Sequence, residues 1–192
     1  MSQFLGMVHH MMYNKIMKRE ERMENLLSSL SKGKKEEILQ KMESKGVLEK
    51  KPLEDIIDES NIHGWLNDKV IISEERLGIF LEEISKEMTK EELLERMKAL
   101  GEKEVFSGSP KEGYIWIVQN ILDGMPCDQG LVPIEESDRS FRFQVLHDLH
   151  APYLPSNVVD LYWDCRKAFM EGAFHKSNLE YLDLGSNIYE IR

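Results

Sequence analysis

The apolar residues of this chain change their spacing once, and that change limits the folds open to it. Near the start, Leu5, Val8, Met12, Ile16, Met23, Leu26, Leu27 and Leu30 recur every three or four residues; over 131–145 the period shortens to two. The first spacing lines up one stripe of a helix and the second lines up one face of a strand, so the same segment cannot satisfy both. The pattern predicts a mainly α fold: a helical bundle of about six or seven helices with one β-hairpin inserted at about 131–147. At 192 residues and 22.5 kDa the chain can bury a core without disulfides or metals as staples. One domain over 1–192 is expected, with a helical part at 1–105 and a helix–hairpin–helix part at 106–192.

The first stripe predicts a long helix over 4–30. Arg19 falls near the centre of that stripe, where a purely structural helix would carry Leu or Met. A Lys/Glu-rich helix over 34–45 should stop at Gly46. Ile62, Leu66, Val70, Leu77, Phe80 and Ile84 form a second stripe, in which Ser73 either lies within one helix or starts another. Thr89 with Glu92, and Ser109 with Glu112, have the spacing of capping boxes, and Pro110 occupies the favoured first helical position. The helix that the second box opens is apolar almost all round from Tyr114 to Val118 and should stop at Gly124, which predicts a place at the centre of the core beside the first and third helices.

A two-residue turn at Ser137 and Asp138 would place Ile134 opposite Phe141 and Val132 opposite Phe143 on one face. Pro133 then requires an edge strand or a bulge. The last helix should run from about 156 to Phe174. Its apolar residues lie on two sides, Tyr162, Cys165 and Phe169 on one and Trp163, Met170 and Phe174 on the other. Such a helix needs two coverings, which the tail NLEYLDLGSNIYEIR or a second subunit could supply; a homodimer through this helix is the second possibility.

Charge excludes some partners. A formal net charge of −10 opposes nucleic acid, whose affinity comes from Lys and Arg neutralising phosphates. The local exception, 31–52, carries seven Lys against four Glu, but the charges interleave as on a solvated helical hairpin. No apolar run approaches transmembrane length, and the N-terminal apolar stretch lacks the basic flank of a signal peptide, so no membrane partner is expected. Two widely separated cysteines, Cys127 and Cys165, fit a reducing, cytoplasmic setting.

Residues that could carry chemistry gather in two places. Extending the hairpin register outward sets Asp128 opposite His147, with Cys127 and His150 nearby. Imidazole, thiolate and carboxylate together suit zinc or iron better than calcium or magnesium. His147, His150, Cys127 and Asp128 are therefore the candidate metal ligands, with His147 and Asp128 the candidate proton acceptors. The structural alternative is a half-buried histidine at a strand end. The second place is the first helix, where a buried Arg19 requires a carboxylate, an anion or a phosphate to offset its desolvation, and His9, Tyr13 and His63 could line a ligand pocket with it.

No phosphate loop, CxxC, HExxH or GxSxG motif is present. The expectation is a cytoplasmic protein binding zinc, iron or a small anionic ligand in a pocket between the N-terminal helix and the hairpin end, with hydrolase or lyase chemistry open to it. The alternative is a non-catalytic helical interaction protein acting through an oligomer interface.

Overall fold

The computed structural model describes residues 5–104 and 106–192. Phe4, where the predicted first helix begins, and Val105, at the predicted division of the chain, lie outside the described residues. The elements are α1 (Met7–Leu27), α2 (Lys32–Glu43), α3 (Ile62–Glu87), α4 (Lys90–Gly101), α5 (Pro110–Asn120), β1 (Leu131–Glu136), β2 (Phe141–Val145), α6 (Val159–Phe174), β3 (Tyr181–Gly185) and β4 (Ile188–Ile191). The fold is mainly α, with six α-helices among the described residues and a small antiparallel sheet in the order β1-β2-β4-β3. None of the described helices is long and apolar enough to cross a membrane.

Local chemistry explains most boundaries. Ser31, Asn61, Thr89 and Ser109 each accept an N–H of the first turn of the helix they precede. At Ser109 the box is reciprocal, with Glu112 accepting the Ser109 N–H at 2.7 Å. At Thr89 only the hydroxyl half forms, because the Glu92 carboxylate bonds Arg96 instead. Ser73 lies inside one continuous α3 and is fully buried.

One expectation about placement is corrected. The helix expected at the centre, α5, buries Gly113 and Ile117 but leaves Ile115 41% exposed; it lies against the sheet with one face inward. The central position belongs to α6, whose two apolar sides take two different partners. One side joins Met23, Leu77, Leu81 and Leu93 through Tyr162 and Cys165; the other meets the sheet through Phe169, Met170 and Phe174. Helix α4 crosses α6 at backbone contact: a Cβ on Gly101 would sit 2.1 Å from the Phe169 carbonyl oxygen, and one on Gly172 2.1 Å from that of Lys98. Residues before and after 105 thus share one apolar cluster.

The hairpin forms in a different register. Leu131 pairs with Val145 and Pro133 with Phe143, then the register shifts so that Glu135 pairs with Arg142. The turn lies one residue further along than expected, with Asp138 and Arg139 enclosed by the Ser137 N–H donating to the Ser140 carbonyl at 2.9 Å. Pro133 cannot donate to a ladder, and the bulge after it leaves Ile134 51% exposed rather than opposite Phe141. A second hairpin, not expected, comes from the tail. Ser186 and Asn187, at φ of 52° and 60°, make the tight turn between β3 and β4, and β4 pairs with β2. Tyr181, Tyr189 and Ile191 then cover the sheet side of α6. The face proposed for a dimer is therefore covered by the chain's own tail.

Candidate functional site

Polar residues enter the middle of this molecule from five separate segments. On α1, Arg19 sits on the inward stripe, and its Nη1 lies 2.6 Å from Oε1 of Glu74 on α3. Its Nη2 donates to the Leu122 carbonyl, just past the end of α5, at 2.6 Å. Of the partners considered for a buried arginine, a carboxylate of another helix is the one in place. The second oxygen of Glu74 faces Nδ1 of His150 at 2.9 Å. The other ring nitrogen, Nε2, lies 2.8 Å from the Tyr162 hydroxyl and 3.3 Å from Asp123. Asp123 closes the series as a bidentate partner of Arg166 on α6, through Nη1 and, at 3.0 Å, Nη2. A second buried pair adjoins it: Arg76 donates to Glu20 at 2.8 and 2.9 Å and to the Gly46 carbonyl at 3.0 Å.

The inward turn of His150 has a local cause. Strand pairing ends where the Leu146 N–H donates to the Gly130 carbonyl. Asp148 then accepts the N–H groups of His150 and Ala151 at 2.9 and 3.0 Å, and its other oxygen takes the Trp163 indole N–H at 3.1 Å. This Asx turn reverses the chain and aims the imidazole under α6.

Burial and pairing compete over each group's charge. Burial works against a protonated His150, but Glu74 and Asp123 on its two nitrogens outweigh burial, and the pKa is raised. Burial likewise opposes ionised Asp123 and Glu74, yet Arg166 and His150 for the first, Arg19 and His150 for the second, hold both carboxyls below their usual range. Tyr162, wholly buried, is pushed above the ordinary phenol value. A protonated His150 can donate from both nitrogens at once, which joins the two ion pairs into one network.

Two cavities flank the network. One, of about 80 Å³, has Arg19, Arg22, Tyr162 and Arg166 on its polar side and apolar walls that include Met23, Leu26, Phe80 and Phe169. Arg22 lies with its guanidinium 4.3 Å from the Phe169 ring centre and reaches Glu104 at 3.3 Å and the Asn120 carbonyl at 3.5 Å. Its Nε is buried and has no acceptor among the described residues. The other cavity, of about 160 Å³, lies between α1 and the segment leading into β1, with Lys15 and Asp123 on its wall.

The residues expected to form a metal centre do not converge. Cys127, Asp128 and His147 are exposed, while His150 is 1% exposed and faces the other way. Asp128 accepts the Met125 N–H at 2.7 Å in a short 3₁₀ turn, and the Cys127 thiol lies 3.8 Å from that neighbouring carboxylate. The outward extension of the register fails because strand pairing stops before Asp128 and His147 are reached. Among the described residues no three His, Cys, Asp or Glu side chains are grouped to hold a metal ion. Cys165 is a buried thiol, pushed up to about 12 by burial.

The expected ligand pocket divides as well. His9 is buried, accepts the Gly6 N–H on Nδ1 at 2.9 Å and packs edge-on against His63 at 5.2 Å; burial first, then His63 and His10, lower its pKa. His63 itself is exposed. Tyr13 points its hydroxyl at the Glu49 and Lys51 carbonyls, at 2.7 and 2.9 Å. Among the described residues none of the three shares a hydrogen bond or ion pair with Arg19. Sequence reasoning missed Glu74, Asp123, Tyr162, Arg166, Arg22 and Lys15. Lys15 and Arg22 carried a signal, standing four residues before and three after Arg19 on the same helical face. Comparison with protein-family models, curated proteins and solved structures gives no match.

Proposed function

We propose that this protein binds a small organic anion, a short-chain carboxylate, in the cavity shared by Arg19, Arg22 and Arg166. The observation that carries this reading is the convergence of three guanidinium groups on one otherwise apolar cavity, with the Arg22 Nε still lacking an acceptor. Arg19 and Arg166 are matched by Glu74 and Asp123, whereas Arg22 holds Glu104 only at 3.3 Å, so Arg22 is the group best able to change partners. A carboxylate accepts from a planar guanidinium at two points, and the apolar walls suit a hydrocarbon body. At about 80 Å³ the cavity is roughly half the size of an engineered apolar cavity that takes benzene, which favours an acid of about four or five carbons. Between the two ligand classes expected from sequence, the anion has a converging set of side chains and the metal does not.

Isothermal titration of the intact chain with butyrate, isovalerate and inorganic phosphate tests this. Binding of one carboxylate at a Kd on the order of 1 mM or tighter is expected, with phosphate weaker. Arg22→Met should weaken it by about tenfold or more through loss of a charge-assisted hydrogen bond, in a variant whose circular dichroism and cooperative melting show it to be folded at the titration temperature. Absence of binding for every carboxylate of two to six carbons, or equal binding by Arg22→Met, would overturn the reading.

A further inference from the structure

Helix α1 presents four cations on one face, Lys15, Lys18, Arg19 and Arg22, and three of them have an evident structural purpose. Lys18 bonds the Asn120 side chain at 2.5 Å, Arg19 the Leu122 carbonyl and Glu74, and Arg22 the Asn120 carbonyl and Glu104. Together they dress the C-terminal end of α5, where the helix dipole is negative and carbonyls need donors. Lys15 does not share this role. It is 5% exposed, and among the described residues its amine makes no hydrogen bond or ion pair. It lines the separate cavity of about 160 Å³, whose other walls include Met11, Tyr114, Val118, Met125 and Leu131. The carboxylate on that cavity, Asp123, is engaged by Arg166 and His150.

An ammonium without a close counter-ion at such a place is costly, whereas a neutral amine is not. Burial lowers the Lys15 pKa; Asp123 restores part of the charged form, and Arg166 and Arg19 oppose it. Removing water from most of a lysine side chain favours the neutral amine, which is the form that adds to carbonyl groups.

We propose that Lys15 is a covalent carbonyl-binding site, where its Nζ forms a reversible imine with a small uncharged aldehyde seated among Tyr114, Val118 and Met125. The nitrogen lone pair adds to the carbonyl carbon as the C=O π electrons move onto oxygen. Water then leaves, carrying the carbonyl oxygen and the two hydrogens of the amine, and the C=N bond forms without any change of oxidation level. Asp123 on the wall disfavours a carboxylate-bearing aldehyde. The cavity volume is close to the roughly 150 Å³ that accepts benzene in an engineered core, so an aromatic aldehyde of that size fits. The Asp123–Arg166 pair separates this site from the arginine-lined cavity, and the two proposals stand or fall apart.

The test uses the intact wild-type chain with benzaldehyde and cyanoborohydride near neutral pH, where reduction of the imine fixes a benzyl group on the reacting nitrogen. Peptide mapping by mass spectrometry follows each lysine with time. Lys15 should be labelled several-fold faster than the exposed Lys32, because the cavity holds the aldehyde beside an amine whose protonated form burial disfavours. In Lys15→Met the fast phase should vanish while labelling of Lys32 continues. Labelling of Lys15 no faster than Lys32, or none at all, in the folded wild-type chain would overturn the proposal, and that comparison needs no variant to fold.

Discussion

Two regions of this molecule collect the residue types that chemistry uses. At the hairpin end, Cys127, Asp128 and His147 lie close in sequence or near the same strand ends, and all three are exposed. Under α6, Arg19, Glu74, Asp123, His150, Tyr162 and Arg166 come from five segments and meet within hydrogen-bonding distance, away from water. His150 belongs to the first group in the sequence and to the second in space. The separation of the two groups is the work of one aspartate: Asp148 turns the backbone and sends the next imidazole inward, leaving His147 outside. Convergence in a fold is thus decided by turns and helix faces, and proximity along the chain is a weak guide to it.

The comparison breaks most sharply at Asp123. Asp123→Ala removes the partner of Arg166 and one partner of His150 at once, leaving buried charge uncompensated. A loss of about 3–5 kcal/mol is expected, read as a lowered urea midpoint, with part of it recovered when Arg166→Met is added. A cost below about 1 kcal/mol would make the network as dispensable as the hairpin end.

The middle effect is one of pH. The pKa of His150 is raised above 6.5, so the stability it contributes is complete below 6.5 and is lost as pH rises through its folded value. Glu74 and Asp123, with lowered values, contribute stability that is present above their ordinary values of 4.5 and 3.8 and lost as pH falls. His9, whose pKa is lowered, acts against His150: its share is present above 6.5 and lost on acidification. The useful quantity is the difference between wild type and His150→Gln. It should be largest in mild acid, about 2 kcal/mol, and shrink toward alkaline pH; a difference that grows with pH would show that His150 is held neutral. The smallest effect belongs to the hairpin end, where His147→Ala and Cys127→Ser should each move the melting temperature by no more than about 2 °C.

Periodicity revealed the helices well because long amphipathic stripes repeat the same information many times. It also exposed Arg19, a charge standing where packing asks for a hydrocarbon. Glu74 offered the same kind of signal on α3: the stripe from Val70 to Leu77 passes through Ser73 and Glu74, both buried. The hairpin was legible as alternation and Pro133 announced an edge or a bulge, but nothing local said that the bulge would skip Ile134 and so shift the register. The tail strands, with five and four residues, were too short to separate from an apolar cover for α6. Asp123 lies past a helix end and Tyr162 reads as an ordinary member of an apolar stripe. Their roles depend on which face of α6 meets α1, a tertiary fact that neither position encodes by itself.

The span of the charged network in the chain bears on how the protein must be made. Arg19 is synthesised first, Glu74 next, and Arg166 last of the three. At the usual pace of translation, about 5–20 residues per second, the interval between first and last is on the order of ten seconds. Throughout that time α1 carries a cation on its inward stripe whose surroundings are incomplete, and closing α1 over α3 early would bury charge before Asp123, His150 and Arg166 arrive. The nascent chain should therefore stay loosely assembled until α6 has left the ribosome, and a product cut short before Arg166 should be recognised by proteases as unfolded, even with α1 to α5 intact.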